Sequence, residues 1–196
     1  FLNFEGHCIS DYHFLGKQMQ ERIMQWLSIP TGIGFAPTKA LAKVANKIAK
    51  KFPERTQGVY VIDSDEKRIK ALKWTKIEDV WGIGFRLTKK MHQQKIQTAF
   101  DFILPHNEAF IKKEMGVVGL RLKYELEGRS VLELNEPKTK RTIAVTRSFE
   151  HDINDYDLLK ERVATFASLC AEKLRMQNSC CYGVIVYLSK DRFKAK

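Results

Sequence analysis

Pro37-Thr38-Lys39-Ala40-Leu41-Ala42-Lys43-Val44-Ala45-Asn46-Lys47-Ile48-Ala49-Lys50-Lys51 decides how this chain is read. Wound as an α-helix at about 100° per residue, Lys39, Lys50, Lys43, Lys47 and Lys51 fall within roughly 120° of one another. Leu41, Ala45, Ile48 and Phe52 fall on the opposite side, at roughly 180–240°. One face is therefore a row of ammonium groups and the other a packing stripe. Exposed helix faces usually alternate charge sign, because opposite charges three or four residues apart support each other. This run has five lysines and no acid before Glu54. A solvated lysine face is one reading; a surface that lies along a polyanion is the other.

Upstream, Ile29, Thr31, Ile33 and Phe35 alternate with the period of a strand. Gly32 and Gly34 lie on its other face and imply close approach of another element. Asp11 is placed to cap a helix running to Leu27, with Tyr12, Leu15, Met19, Ile23 and Trp26 inward. Phe1 to Phe4 read as the end of a further strand. Downstream, Val59 to Ile62 is a short strand, and Asp63-x-x-Glu66 resembles a capping box opening a helix with Ile69 and Leu72 inward. From there to Gly128 the pattern is short helices, broken near Gly82 to Gly84, Pro105 to Asn107 and Gly116 to Gly119.

Ile77-Glu78-Asp79-Val80-Trp81-Gly82-Ile83-Gly84 comes next in importance. A short helix bearing Ile77 and Val80, a Gly-Ile-Gly turn, and a second helix through Leu87 and Met91 form a helix-hairpin-helix pattern. The amides of such a turn and of the following helix start point outward and form an anion nest. Arg86, Lys89 and Lys90 follow it at once. The carbonyls on the reverse side, those of Glu78, Val80 and Ile83, are candidates to hold a monovalent cation. A weaker copy, Met115-Gly116-Val117-Val118-Gly119 followed by Arg121 and Lys123, reads equally as a packing hairpin or a DNA clamp.

Residues 130–141 lack periodicity and read as a charged linker. Ile143, Val145, Arg147 and Phe149 then alternate as a strand. Asp155 caps a long helix with Leu159, Val163, Phe166, Cys170 and Leu174 inward, and Cys180 to Ser189 reads as a second strand. Such a β-α-β unit cannot cover its own sheet and is expected to be incomplete. The fold class expected is α+β.

The chain has 196 residues, 34 lysines and arginines against 23 acids, and a formal charge of +11. That excess points to nucleic acid as partner. No apolar run reaches the length of about 18 residues that a membrane span needs. Cys8, Cys170, Cys180 and Cys181 form no C-x-x-C pair, and free thiols fit best. His7, His13, His92, His106 and His151 share no metal-ligand spacing. There is no P-loop and no Ser-His-Asp set. From the residues alone, the chain grips DNA and carries no evident catalytic group. A non-catalytic helix-hairpin-helix module of a repair complex stands beside any enzyme reading. A nuclease or glycosylase would need a carboxylate or lysine beside the hairpin that is not seen.

Gly32-Ile33-Gly34, then Pro-Thr-Lys-Ala-Leu-Ala-Lys-Val-Ala-Asn, then Asp79-Val80-Trp81-Gly82-Ile83-Gly84 together resemble the Y-family translesion DNA polymerases. The Val-Trp-Gly-Ile-Gly form and Lys50-Lys51 look most like the UmuC branch, of the impB/mucB/samB type, which supplies the catalytic subunit of bacterial DNA polymerase V. The resemblance implies the rear of a palm over 1–62, an all-helical thumb over 63–129, the linker, and the first part of a little finger domain over 142–196. It implies that Lys50 contacts the triphosphate of the incoming dNTP. It implies DNA contacts from Lys39, Lys43, Gly82, Ile83, Gly84, Arg86, Lys89, Arg147 and Ser148. Primer-template DNA is the implied partner, with a UmuD-like subunit, RecA and the sliding clamp as implied protein partners, no membrane, and a cytoplasmic, nucleoid-associated setting. The family's two Mg²⁺ ions are held by an N-terminal aspartate and a Ser-x-Asp-Glu pair that would lie before Phe1. Side chains of this chain are therefore not expected to bind them, and it is expected to be an inactive piece of a polymerase active in SOS-type damage bypass.

Overall fold

The computed structural model describes residues 1–132 and 139–189. They fall into two units, Phe1–Leu134 and Asn135–Lys196. Each is helix-rich, and the first carries a small sheet, in keeping with an α+β class.

In the first unit, α1 (Tyr12–Leu27) begins where the Asp11 carboxylate accepts the amides of His13 and Phe14. β1 (Ile33–Phe35) pairs in parallel with β2 (Val59–Val61), Ile33 opposite Val59 and Phe35 opposite Val61. Between them runs α2 (Lys39–Lys51), capped by the Thr38 hydroxyl, and the single turn α3 (Pro53–Thr56). Strand, helix and strand pack closely: Gly34 of β1 lies so near α2 that a Cβ there would sit 2.2 Å from the Asn46 main-chain nitrogen and 2.5 Å from the Ala42 oxygen. Only glycine permits that approach. The seating buries Leu41, Val44, Ala45 and Ile48 and turns the lysines outward, as the periodicity requires.

α4 (Asp65–Trp74), α5 (Phe85–Gln93), α6 (Ala99–Ile103) and α7 (Glu108–Leu126) follow, with 3₁₀ turns at Ile77–Asp79 and Pro105–Asn107. Leu72, Ile77, Met91, Ile96, Phe102, Ile111 and Leu126 join Leu41 and Ile48 in one apolar core. α2 thus packs on the helical layer with one edge and on β1 with another.

Several expectations are corrected. Phe1 to Phe4 form no strand; Phe4 instead packs on Phe35 at 5.8 Å between ring centroids. Only Ile33 to Phe35 of the alternating run pairs, because β2 supplies a partner for three residues. Trp26 is exposed rather than inward, at the open end of α1. The cap of α4 is Ser64, whose hydroxyl accepts the Lys67 amide, while Asp63 binds the Lys67 ammonium at 2.9 Å. A break the periodicity did not reveal separates α5 from α6, where Thr98 and Asp101 form a reciprocal capping box. The break expected at the second glycine motif is present: Gly116, at φ +60° and ψ −146°, is non-helical and divides α7 into two helical stretches.

The second unit contains α8 (Tyr156–Met176), capped by Asp155. Leu159, Val163, Phe166, Cys170 and Leu174, the stripe that the spacing predicts, are partly covered, together with Ala171. Phe149 stacks on Phe166 at 6.3 Å, and Gln177 holds Lys140 through both its amide nitrogen and oxygen. Ile143 to Phe149 and Cys180 to Ser189 form no strands. A strand exists only where a neighbouring strand takes up its amides and carbonyls, and no ladder joins these two runs among the described residues. Part of the expected linker, 133–138, lies outside the described residues.

Gly34→Ala is expected to lower unfolding free energy by about 3 kcal/mol or more, since backbone rather than a flexible side chain must give way. Gly84→Ala, where a Cβ meets nothing within 4 Å, is expected to cost about 1 kcal/mol at most, the loss of glycine at a helix cap. Urea unfolding of the two variants beside the parent chain measures the difference.

Candidate nucleic-acid interface

The Gly-Ile-Gly turn is built from both ends. Ile77 and Val80 are buried, and the Ile83 amide donates to the Val80 carbonyl at 3.0 Å, closing the bend. Gly82 has φ +95°, a conformation a side chain strongly disfavours. Gly84 caps α5 without offering any side-chain acceptor. The first amides of α5 have no intrahelical partner by geometry, so they face outward with the positive end of the helix behind them. Gly82, Gly84, Phe85, Arg86 and Lys89 are exposed, Ile83 is buried beneath them, and the Lys89 ammonium sits 4.4 Å from the centroid of the Phe85 ring. The short first helix is a single 3₁₀ turn. Of the three carbonyls considered for a cation, that of Val80 already takes the Ile83 amide.

The lysine row and the hairpin belong to one surface. Lys47 forms an ion pair with Asp79. The Phe1 ring lies 5.7 Å from Trp81 and receives the ammonium groups of Lys39 and Lys43 at 5.7 and 4.9 Å. The row is thus not free of acids: Asp79 compensates Lys47. Glu78-Asp79 looks like a helix-start pair in the sequence, and only the tertiary contact assigns it to α2. Trp81, 47% exposed, and Phe1 are further surface residues here that residue spacing did not mark.

Lys50 is exposed, and its aliphatic stem lies along Gly32, where a Cβ would come within 2.6 Å of the Lys50 Cγ. Asn46 donates to the Gly32 carbonyl from the next turn. The absence of a side chain at Gly32 therefore lets the Lys50 stem lie flat. Arg147 and Ser148 are exposed in the second unit, where the Arg147 guanidinium donates to the Thr146 carbonyl at 3.0 Å.

The second glycine motif divides. Gly116 has φ +60° with open space around it, and Val117 and Val118 are exposed. Lys123, however, is no clamp residue. Its side chain is 5% exposed and bridges Glu108 at 3.1 Å and Glu127 at 2.6 Å, with Arg129 on the far side of Glu127. Burial pushes the Lys123 pKa down, but hydrogen bonds to Glu127 and Glu108 outweigh it and hold it above its ordinary value. Burial pushes Glu127 up, and Lys123 and Arg129 overcome that and hold its carboxyl below the usual range. Among the described residues no three His, Cys, Asp or Glu side chains converge as a metal site would require. None of the described helices is long and apolar enough to cross a membrane.

Residues 140–196 match the impB/mucB/samB family C-terminal domain. ImpB of Salmonella typhimurium is 36% identical across all of this chain and 47% of its own length. UmuC of Salmonella typhimurium is 33% identical over 91% of this chain and 42% of its own. A DNA polymerase IV from Oceanobacillus iheyensis is 29% identical over 75% of this chain and 34% of its own. The chain spans about half the length of the first two relatives or less.

Lys123→Ala is expected to cost about 1–2 kcal/mol at neutral pH, because it removes the charge-assisted bonds to Glu108 and Glu127, while Glu108 stays open to water and Glu127 keeps Arg129. Glu127 has a lowered folded pKa, so its contribution is complete above the ordinary glutamate range and is lost as pH falls through that lowered value. The gap between variant and parent chain should therefore narrow on acidification, which thermal melts at a series of pH values would record.

Proposed function

The chain belongs to the impB/mucB/samB family, and from that premise we propose that it is the DNA-gripping rear portion of an error-prone translesion DNA polymerase. Residues 1–62 serve as the back of the palm, 63–129 as the thumb, and 142–196 as the start of the little finger. The hairpin amides after Gly82 take a backbone phosphate of the duplex, with Arg86 and Lys89 flanking it. Lys39 and Lys43 extend the positive surface, and Arg147 and Ser148 contact the duplex from the tethered unit. Lys50, laid over Gly32, reaches the triphosphate of the incoming nucleotide. A lysine there offsets charge that develops as the α-phosphorus is attacked. The observation that carries this reading is the junction of hairpin and lysine helix through Lys47 and Asp79, which puts two anion-seeking elements on one surface.

Such enzymes use two Mg²⁺ ions held by carboxylates. The acidic side chains described here do not gather into a set that fits them. We assign the ions, and the metal-dependent step, to carboxylates outside this chain. SOS-regulated expression, a cytoplasmic setting, and contacts with a UmuD-like subunit, RecA and the sliding clamp belong to the same reading. A non-catalytic helix-hairpin-helix module of a repair complex is the second reading, and it rests on the same hairpin without Lys50.

Duplex affinity should be sequence-independent. With about six phosphates neutralised, log K should fall against log salt with a slope of about −5. Gly84→Leu is expected to fold, since a Cβ there meets nothing within 4 Å, and to bind duplex roughly five- to tenfold more weakly, the loss of one charge-assisted contact. Unchanged affinity at moderate salt would remove the hairpin from the interface. The chain alone is expected to extend no primer with Mg²⁺ and nucleotides, and robust extension would overturn the assignment of its metal ligands. In a polymerase carrying both this chain and the palm carboxylates, Lys50→Ala should reduce nucleotide incorporation more than DNA affinity; equal losses would make Lys50 a DNA-backbone contact.

A further inference from the structure

Glu125, in the last turn of α7, is completely buried. One carboxylate oxygen accepts the Ala40 amide at 3.2 Å; the other accepts the amides of Val131 and Leu132 at 2.8 and 3.0 Å. Its main-chain carbonyl accepts the Thr38 hydroxyl at 2.7 Å. Ala40 is the second residue of α2, and Thr38 caps the same helix at Leu41. Burying a carboxylate is costly unless hydrogen bonds replace its water. Here main-chain amides from two segments far apart in sequence replace it.

The arrangement has a direction. Val131 and Leu132 lie beyond the end of α7, in a stretch without secondary structure that leads towards the second unit. The chain turns back after α7 through Gly128, at φ +94°, with the Arg129 amide on the Tyr124 carbonyl. Glu125 then takes hold of the next two amides. The helix that bears the lysine row and the segment that becomes the tether are therefore fastened to one carboxylate.

We infer that Glu125 is a positioning residue: a buried latch that fixes the origin of the tether against the amino end of the lysine helix, and so pre-orders the chain for DNA. The duplex part of this inference rests on the DNA-gripping function proposed above; the latch itself does not.

Amide hydrogen exchange on the intact chain tests the latch first. Val131 and Leu132 should exchange about as slowly as amides in the body of α7; exchange at the rate of an unstructured segment overturns the inference. Glu125→Gln keeps the shape but turns one oxygen into a donor, which must then face either Ala40 or the Val131–Leu132 pair. That variant should speed exchange of at least one of these sets by about tenfold or more, the effect of losing a hydrogen bond to a charged group. Protection unchanged at all three amides would overturn it. Duplex titration then reads the consequence. A positioning loss lowers affinity by roughly three- to tenfold with the salt slope unaltered, because no phosphate contact is removed. Affinity equal to the parent chain, or a shallower slope, overturns the positioning role. If the parent chain itself binds no duplex, the proposed function fails while the exchange result still decides the latch. Should Glu125→Gln not fold, the exchange rates of the parent chain remain decisive.

Discussion

The approach of one backbone to another, β1 to α2 at Gly34, is the constraint on which the first unit depends. It brings the helix down onto the strand until no side chain fits between them. At that distance the helix has little freedom to roll, so its faces are assigned. Leu41, Val44, Ala45 and Ile48 must enter the core, and the lysines must face solvent. The same seating presents Ala40 to the Glu125 carboxylate and Lys47 to Asp79. Core, latch and surface are consequences of where one helix rests.

The sequence announced the parts of this that depend on local periodicity. The lysine face, the apolar stripe of α2, the cap at Asp11, the hairpin glycines and the stripe of α8 follow from spacings within one element, which helix geometry alone decides. What escaped it depends on neighbours. The alternation of Ile143 to Phe149 is as regular as that of Ile33 to Phe35, yet among the described residues only the second run has a strand beside it. Asp79 could not be told from a helix-start acid, because its partner lies on α2, thirty-two positions earlier. Lys123 follows a glycine turn that reads equally as a packing hairpin or a DNA clamp; its burial between two glutamates is set by how the ends of α7 fold back on each other. Glu125 carried no mark at all, since a glutamate near a helix end is ordinary until the rest of the chain closes over it.

Electrostatically the surface is economical in its use of positive charge. Lys47 is neutralised by Asp79 and Lys90 by Glu114, and both pairs join neighbouring elements. Lys43 is held over an aromatic ring, which leaves its charge intact. Exposed pairs of this kind contribute little stability, at most about 1 kcal/mol each. Their effect is to fix the geometry of the charges that remain, around a bend whose own amides need no side chain to attract an anion.

Gly82 and Gly84 stand two positions apart in the same bend and are constrained by different forces. Gly82 is tied to its residue type by its own torsion angle, whereas Gly84 has ordinary angles and empty space before it. A lineage kept only for its ability to fold would hold the first and let the second drift to serine or asparagine, which cap helices at least as well. Where both glycines persist, selection has acted on the empty space itself.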